Sequence, residues 1–428
     1  MKEEFLNFIW KHQYFDKRQL ETYQGEVLQV LNPGKINTNS GPDFSNARIK
    51  LASTDWAGPI EIHVRSSDWY LHQHHKDPTY DQVVLHVVWV NNVKAKTSNG
   101  QEIPTLELKG RVERDLLLRH QNLGKGNSVI PCELQSDRIP RSSFQKMLEH
   151  TIRQRVERKS QEVNALLDRH NYNWDQVTYL VLGKNFGFHV NTDAFETLVG
   201  IVPLPIVRKM RSNIIQLESL FFGQAGFLQR VTGDSYYLHL QKEYEFLKRK
   251  YSFRPGLMKK EMWKYLRLRP SNFPSLRIAQ FVSMMHLEGF RFSNIREAVT
   301  ADQFSRMVVK PSSYWDDHYD FGKKWGIGRS ALGKSSKESL VINTLAPLLV
   351  AYANYTGQPV YRKRAIELMK QVPSEQNRMV SYWKDKGFEV SSAYYSQAVI
   401  ELNNQYCILR KCLDCFIGQS LLTGTPKR

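Results

Sequence analysis

A chain of 428 residues is too long for one ordinary hydrophobic core and points to two or three domains. With 41% hydrophobic, 12% aromatic and 24% charged residues it is globular in composition, which excludes extended disorder. Lys and Arg outnumber Asp and Glu by 60 to 42, and the resulting net charge of +18 favours polyanionic partners such as nucleic acid or an anionic membrane surface.

The start, Met1-Lys2-Glu3-Glu4-Phe5, is acidic where a secretory signal would be basic, so a cytoplasmic protein is expected. Residues 3–22 predict a helix on Phe5, Phe8, Ile9 and, after a break near Tyr14, Leu20. Strands are predicted at 26–31, before the turn Asn32-Pro33-Gly34, and at 46–51, where Ala47, Ile49 and Leu51 alternate with Asn46, Arg48 and Lys50. In the next strand, 59–65, Ile60, Ile62 and Val64 face one way, which puts Glu61, His63 and Arg65 on the opposite face. A short helix over 67–75 is expected, then a nearly continuous apolar strand at 83–90, a turn over 91–101 and a last strand at 103–108. From Glu113 onward the period is helical, with segments near 142–168, 174–183, 191–200, 236–250, 274–288, 336–355, 359–371 and 391–418. The most apolar stretch, 340–355, is broken by Asn343, Thr344, Pro347 and Asn354 and predicts a buried helix, so no membrane partner is expected. The fold class is therefore α+β: an α/β domain over 1–115 and a mainly helical region over 116–428 with room for two subdomains.

The densest chemistry lies at 39–91. Asn39-Ser40-Gly41-Pro42-Asp43-Phe44 delivers a carboxylate to the mouth of one strand, and Glu61 follows one strand later. Carboxylates so placed suit Mg²⁺ or Mn²⁺, hard ions that take oxygen ligands, keep several waters and activate water against a phosphodiester. Gly41-Pro42-Asp43, eighteen residues and then Glu61-Ile62-His63 resembles the PD-(D/E)XK nuclease signature, and the helix–strand–strand–strand–helix–strand order resembles its restriction-endonuclease-like core. The resemblance covers about the first quarter of the chain. It implies a metal held by Asp43 and Glu61, with His63 standing where the family carries a lysine that orients or activates the water. A neutral imidazole can serve as a base but lacks that lysine's fixed charge, which Arg65 on the same face would supply as a phosphate contact. The whole chain also resembles an uncharacterised bacterial protein family, through Asn39-Ser-Gly-Pro-Asp-Phe44, Gly58-Pro-Ile-Glu-Ile-His63, Ser67-Asp-Trp69 and the C-terminal cysteines.

Other readings compete. Asp68, His72, His74, His75, Asp77 and His86 could build a zinc hydrolase site, although their spacing matches no defined zinc motif; on a helix over 67–75, His72 and His75 share a face and His74 points elsewhere. Strand alternation alone would also give Glu61, His63 and Arg65 a solvated face with no chemistry. Cys407, Cys412 and Cys415 form C-x4-C-x2-C, and with the only other cysteine, Cys132, they reach the number a zinc or iron–sulfur site needs. A continuous helix would turn Cys407 away from the other two, so such a site requires the helix to break. The alternative is four buried, inert thiols.

Between Lys242 and Arg277, Lys248, Arg249, Lys250, Arg254, Lys259, Lys260, Arg267 and Arg269 interleave with Tyr251, Phe253, Trp263, Tyr265 and Phe273. Cations and aromatics in this pattern could grip phosphates and stack bases, or form a solvated helix face with core aromatics. The expectation is a metal-dependent nuclease with DNA as the favoured partner. A non-catalytic nucleic-acid-binding or interaction protein on a degenerate nuclease-like fold is the alternative, and a zinc-dependent hydrolase the third.

Overall fold

The computed structural model describes residues 1–37, 39–123, 128–229, 231–253, 258–286, 291–307, 310–325 and 330–424. The chain forms two compact units, Met1–Met147 with Asn403–Arg428, and Leu148–Leu402. The first unit thus runs past the expected boundary at 115 and includes the C-terminal cysteines, which the sequence reading assigned to the helical region.

In the first unit, α1 (Glu3–His12) buries Phe5, Leu6, Phe8, Ile9 and Trp10 and stops at Gln13, whose φ of 57° turns its amide back onto the carbonyls of Ile9 and Trp10. That left-handed cap is why the expected helix does not continue to residue 22. The strands are β1 (Leu28–Asn32), β2 (Lys35–Ile36), β3 (Phe44–Leu51) and β4 (Thr54–Arg65), then, after the four-residue α2 (Asp68–Leu71), β5 (Leu85–Val90) and β6 (Thr105–Glu107). They form one mixed sheet in the order β1-β3-β4-β5-β6, with β2 paired to β3; β4 and β5 run parallel, as do β5 and β6. A short α3 (Arg114–Asn122) follows. Helix, strands, short helix and strands come in the order expected from the sequence.

Pleating sorts the side chains. Ile60, Ile62, Leu85, Val87 and Leu106 join Phe5, Ile9, Trp10, Phe44 and Ile49 in the main core. Their alternates, Glu61, His63 and His86, lie on the other face, where Trp69, Tyr80, Val83, Ala95 and Ile103 form a second, smaller core. That face is covered, so Glu61 and His63 are not a solvated surface: they are 5% and 0% exposed. A bulge between Phe44 and Ala47, with Asn46 at φ 55°, bends β3 beside Asp43.

The second unit is helical: α4 (Arg141–Arg169, entering from the first unit), α5 (Trp174–Phe186), α6 (Thr192–Ile201), α7 (Leu204–Met210), α8 (Ile214–Gln224), α9 (Ser235–Lys250) and α10 (Pro274–His286). Then come α11 (Phe292–Glu297), α12 (Ala301–Arg306), the small hairpin β7 (His318–Asp320) and β8 (Lys323–Lys324), and α13 (Lys334–Leu340). Helices α14 (Ala346–Thr356), α15 (Pro359–Gln371), α16 (Arg378–Asp385) and α17 (Ala393–Leu402) complete it. Every residue of α10 from Pro274 to Met285 is buried, and its polar members are paired inside: Arg277 donates to Gln280 Oε1 (2.9 Å) and Gln280 to the Ser330 carbonyl (2.8 Å). The helix predicted over 391–418 ends at Leu402, passes through a π-turn at Asn403–Cys407 and resumes only at α18 (Phe416–Thr423). Among the described residues no helix is long and apolar enough to cross a membrane.

Glu218, on α8, is fully buried and accepts hydrogen bonds from Ser312 Oγ (2.8 Å), Trp315 Nε1 (3.2 Å) and the Tyr236 hydroxyl. Burial outweighs those bonds and raises its pKa from 4.5 to about 7. The folded state therefore holds this proton more tightly than the unfolded chain, and its contribution to stability is complete below pH 4.5 and lost as pH rises through 7. Melting temperatures of the native chain and Glu218→Gln, measured between pH 5 and 8, are expected to diverge, with the variant gaining up to about 3 kcal/mol relative to the native chain. Parallel curves would contradict this.

A candidate metal centre in the N-terminal unit

Asp43 and Glu61 are tied to each other through the backbone. The amide of Asp43 donates to Glu61 Oε2 (3.0 Å), and the amide of Ile62 donates to Asp43 Oδ2 (3.1 Å). The pairing of Phe44 with Ile60 sets this register, which is how two carboxyls eighteen residues apart come together.

Three histidines complete the centre. His63 Nε2 lies 3.1 Å from His72 Nδ1 and 3.6 Å from Glu61 Oε1, while His74 Nε2 lies 3.2 Å from the same carboxylate oxygen. Donor atoms of His63, His72 and His74 all stand within 4.8 Å of one another. A four-coordinate ion bound at about 2.0–2.1 Å by nitrogen and oxygen holds its ligands about 3.3–3.4 Å apart, and the separations of 3.1, 3.2 and 3.6 Å lie close to that edge length. His74 is brought in by a change of backbone direction: α2 ends at Leu71, Gln73 takes φ 61°, and a 3-10 turn starts at His74. The expected helix over 67–75 is therefore broken, and the expectation that His74 points away is corrected. His74 is buried, while His75 packs beside Tyr70.

His86 occupies the far side of His63, with its Nε2 2.8 Å from His63 Nδ1. If His63 donates there, the lone pair on its Nε2 is left facing His72 and Glu61, the tautomer that a ligand needs. Burial first, and neighbouring imidazoles second, push His63 down to about 2 and His86 to about 3, so both rings stay neutral. His63 is thus wedged between two imidazoles and suits a ligand's role better than that of the mobile base the sequence suggested.

Among the described residues no lysine or arginine forms an ion pair with Glu3, Asp43 or Glu61. Burial raises Asp43 to about 7, with Glu61 and Glu3 adding to the shift. Glu3, in the first turn of α1, is itself raised by burial, with Glu61 and Asp68 pushing in the same direction and His72 and His74 opposing. No lysine or arginine stands among these principal influences. His74 Nε2 is buried and, despite its closeness to Glu61, makes no hydrogen bond among the described residues. Neutral imidazoles, an unpaired ring nitrogen and clustered carboxyls fit a divalent cation, and three nitrogens to one oxygen favour zinc or manganese over magnesium.

Arg65 ends β4 exposed, its amide bonded to Asp68, and its side chain has no ion pair among the described residues. Asp77 caps the turn at Thr79. In the second unit Arg249, Lys250, Lys259, Arg267 and Arg269 are exposed, Lys248 pairs with Glu245, and Lys260 lies over Phe227. Arg254 lies outside the described residues. Trp263 is core, bonded to the Ala225 carbonyl, and Arg277 is buried against Phe188, so neither belongs to an open binding face. Sequence reasoning missed Glu3, because an acid in a helix's first turn reads as an ordinary partner of the helix dipole, and Asn7, whose side chain opposes the upward shift at Asp43.

No curated protein and no solved structure matches the chain. A family model described as "Protein of unknown function (DUF2851)" matches residues 3–378, a span that includes the histidine centre and Cys132 and stops before the other three cysteines. The chain belongs to this family.

Proposed function

We propose that the N-terminal unit is a metal-dependent hydrolase acting on phosphodiesters, with nucleic acid as the substrate class. The observation that carries the reading is the convergence of His63, His72 and His74 to within 4.8 Å, with Glu61 Oε1 standing 3.2 Å from His74 Nε2 and 3.6 Å from His63 Nε2. A divalent ion there supplies Lewis-acid polarisation of a phosphoryl oxygen and a more acidic water. The three imidazoles, with Glu61 beside them, would hold the ion, and His86 fixes the orientation of His63. Asp43, beside Glu61 and half-buried, is placed to accept the proton as water's oxygen bonds to phosphorus; the ester P–O bond breaks and the leaving oxygen takes a proton from solvent. The choice of a phosphodiester rests on the Asp43…Glu61-Ile62-His63 pattern and the net charge of +18. This reading keeps the expected reaction but replaces an oxygen-ligated magnesium or manganese site with a nitrogen-rich one.

The test is incubation of the full chain with duplex DNA, single-stranded DNA, RNA and a small aryl phosphodiester, each with Zn²⁺, Mn²⁺ or Mg²⁺. Cleavage with zinc or manganese that disappears in His74→Ala is the expected result. Metal binding without cleavage of any substrate would overturn catalysis and leave a non-catalytic binding protein.

A further inference from the structure

The four cysteines use none of the residues of the histidine centre, yet they belong to the same unit. None forms a disulfide; Cys132, Cys407 and Cys415 are buried and Cys412 is half-buried. Cys132 precedes the 3-10 turn Glu133–Arg138, and Cys407 ends the π-turn that interrupts the expected helix. The chain then reverses at Arg410, whose φ is 55°, with the amide of Lys411 bonded to the Tyr406 carbonyl (2.9 Å) and that of Cys412 to the Arg410 carbonyl (2.8 Å). The Arg410 guanidinium donates to the Ser128 carbonyl (3.2 Å), fastening this reversal to the segment that leads into Cys132. Cys415 sits at the N-terminal end of α18, its amide bonded to the Cys412 carbonyl (3.3 Å). Gly418 is needed for the close approach: a Cβ there would lie 2.1 Å from the Cys412 carbonyl oxygen.

The backbone brings the four cysteines into one neighbourhood: the Arg410 amide bonds the Cys407 carbonyl (3.1 Å), the Cys415 amide bonds the Cys412 carbonyl (3.3 Å), and Arg410 ties this turn to Ser128 ahead of Cys132; each thiol is near enough to the other three to feel their charge. Spacing discriminates between metals. A single zinc, bound at about 2.3 Å, draws four thiolates to about 3.8 Å of one another. Among the described residues the donor group closed to within 4.8 Å is the histidine one, and no three of these sulfurs meet that limit. A cluster of several irons stands between its thiolates and holds them further apart.

We propose that Cys132, Cys407, Cys412 and Cys415 hold an iron–sulfur cluster. It ties the C-terminal segment to the chain ahead of α4. Helix α18 keeps a second anchorage, because Leu422 lies in the main core, so removal of one thiolate leaves the segment in place.

The full chain is purified without oxygen, reconstituted with ferrous iron and sulfide, desalted, and assayed for iron, acid-labile sulfide, zinc and visible absorption, beside Cys412→Ser and Glu61→Gln. Iron and sulfide in near-equal amounts, with a broad visible band that bleaches on air oxidation, is the expected result. Both are expected to fall at least tenfold in Cys412→Ser and to persist in Glu61→Gln, which separates this centre from the histidine one. Circular dichroism reports whether Cys412→Ser is folded; if it is not, the content and bleaching of the native chain decide. One zinc per chain lost in Cys412→Ser, or no iron retained by the native chain, would overturn the proposal.

Discussion

Glu61→Gln is expected to weaken divalent-metal binding to the N-terminal unit by about 100-fold or more, and His86→Ala by about 10- to 100-fold, as read by titration calorimetry with Zn²⁺ or Mn²⁺. Glu61 supplies the carboxylate oxygen that both His63 and His74 approach, and its amide replacement removes the negative charge while keeping the volume. His86 touches His63 from behind, so its loss frees the ring without removing a ligand. Asp43→Asn divides the two readings of the site. In the nitrogen-rich centre Asp43 handles a proton, so the variant is expected to bind metal nearly as the native chain does and to lose turnover by about 100-fold or more. In the arrangement implied by the nuclease resemblance Asp43 is itself a ligand, and binding and turnover would fall together. Native-like metal affinity in Glu61→Gln would remove the basis for the centre altogether.

The sheet was legible because its strands alternate. Ala47, Ile49 and Leu51 point inward as their spacing demands, and the face shared by Glu61 and His63 follows from Ile60 and Ile62 alone. What covers that face was not legible. Trp69, His72 and His74 reach it only because the chain leaves the helix after Leu71, and the turn depends on a left-handed Gln73, a residue with no marked preference for that conformation. The same limit applied at α1, where Gln13 rather than a glycine or proline ends the helix. At the C-terminus the spacing of the cysteines carried the information: C-x4-C-x2-C could converge only if the helix broke, and it breaks at Cys407. Assignment of that segment to the first unit needed tertiary structure, because no local pattern reports that Leu422 joins a core made by residues 5–116.

In the second unit, Glu401→Ala is expected to cost about 3–5 kcal/mol of folding stability, as measured by urea denaturation. Glu401, on α17, is 1% exposed and receives a two-pronged contact from Arg158, Nε to Oε1 at 3.1 Å and the terminal nitrogen to Oε2 at 2.8 Å. Arg155, one turn earlier on α4, reaches the same Oε2 at 3.5 Å. Burial lowers the pKa of Arg155 even with Glu401 beside it, so the carboxylate is what makes this cation tolerable. Alanine would leave Arg155 enclosed without its partner, and the cost comes from that stranded charge more than from the lost bonds. Glu162 provides the control: it pairs with Arg158 and Lys159 on the exposed side of α4, where Glu162→Ala is expected to cost no more than about 1 kcal/mol. Equal losses in the two variants would mean that Arg155 finds water or another acceptor once Glu401 is gone, and that the pairing of α4 with α17 rests on apolar contact.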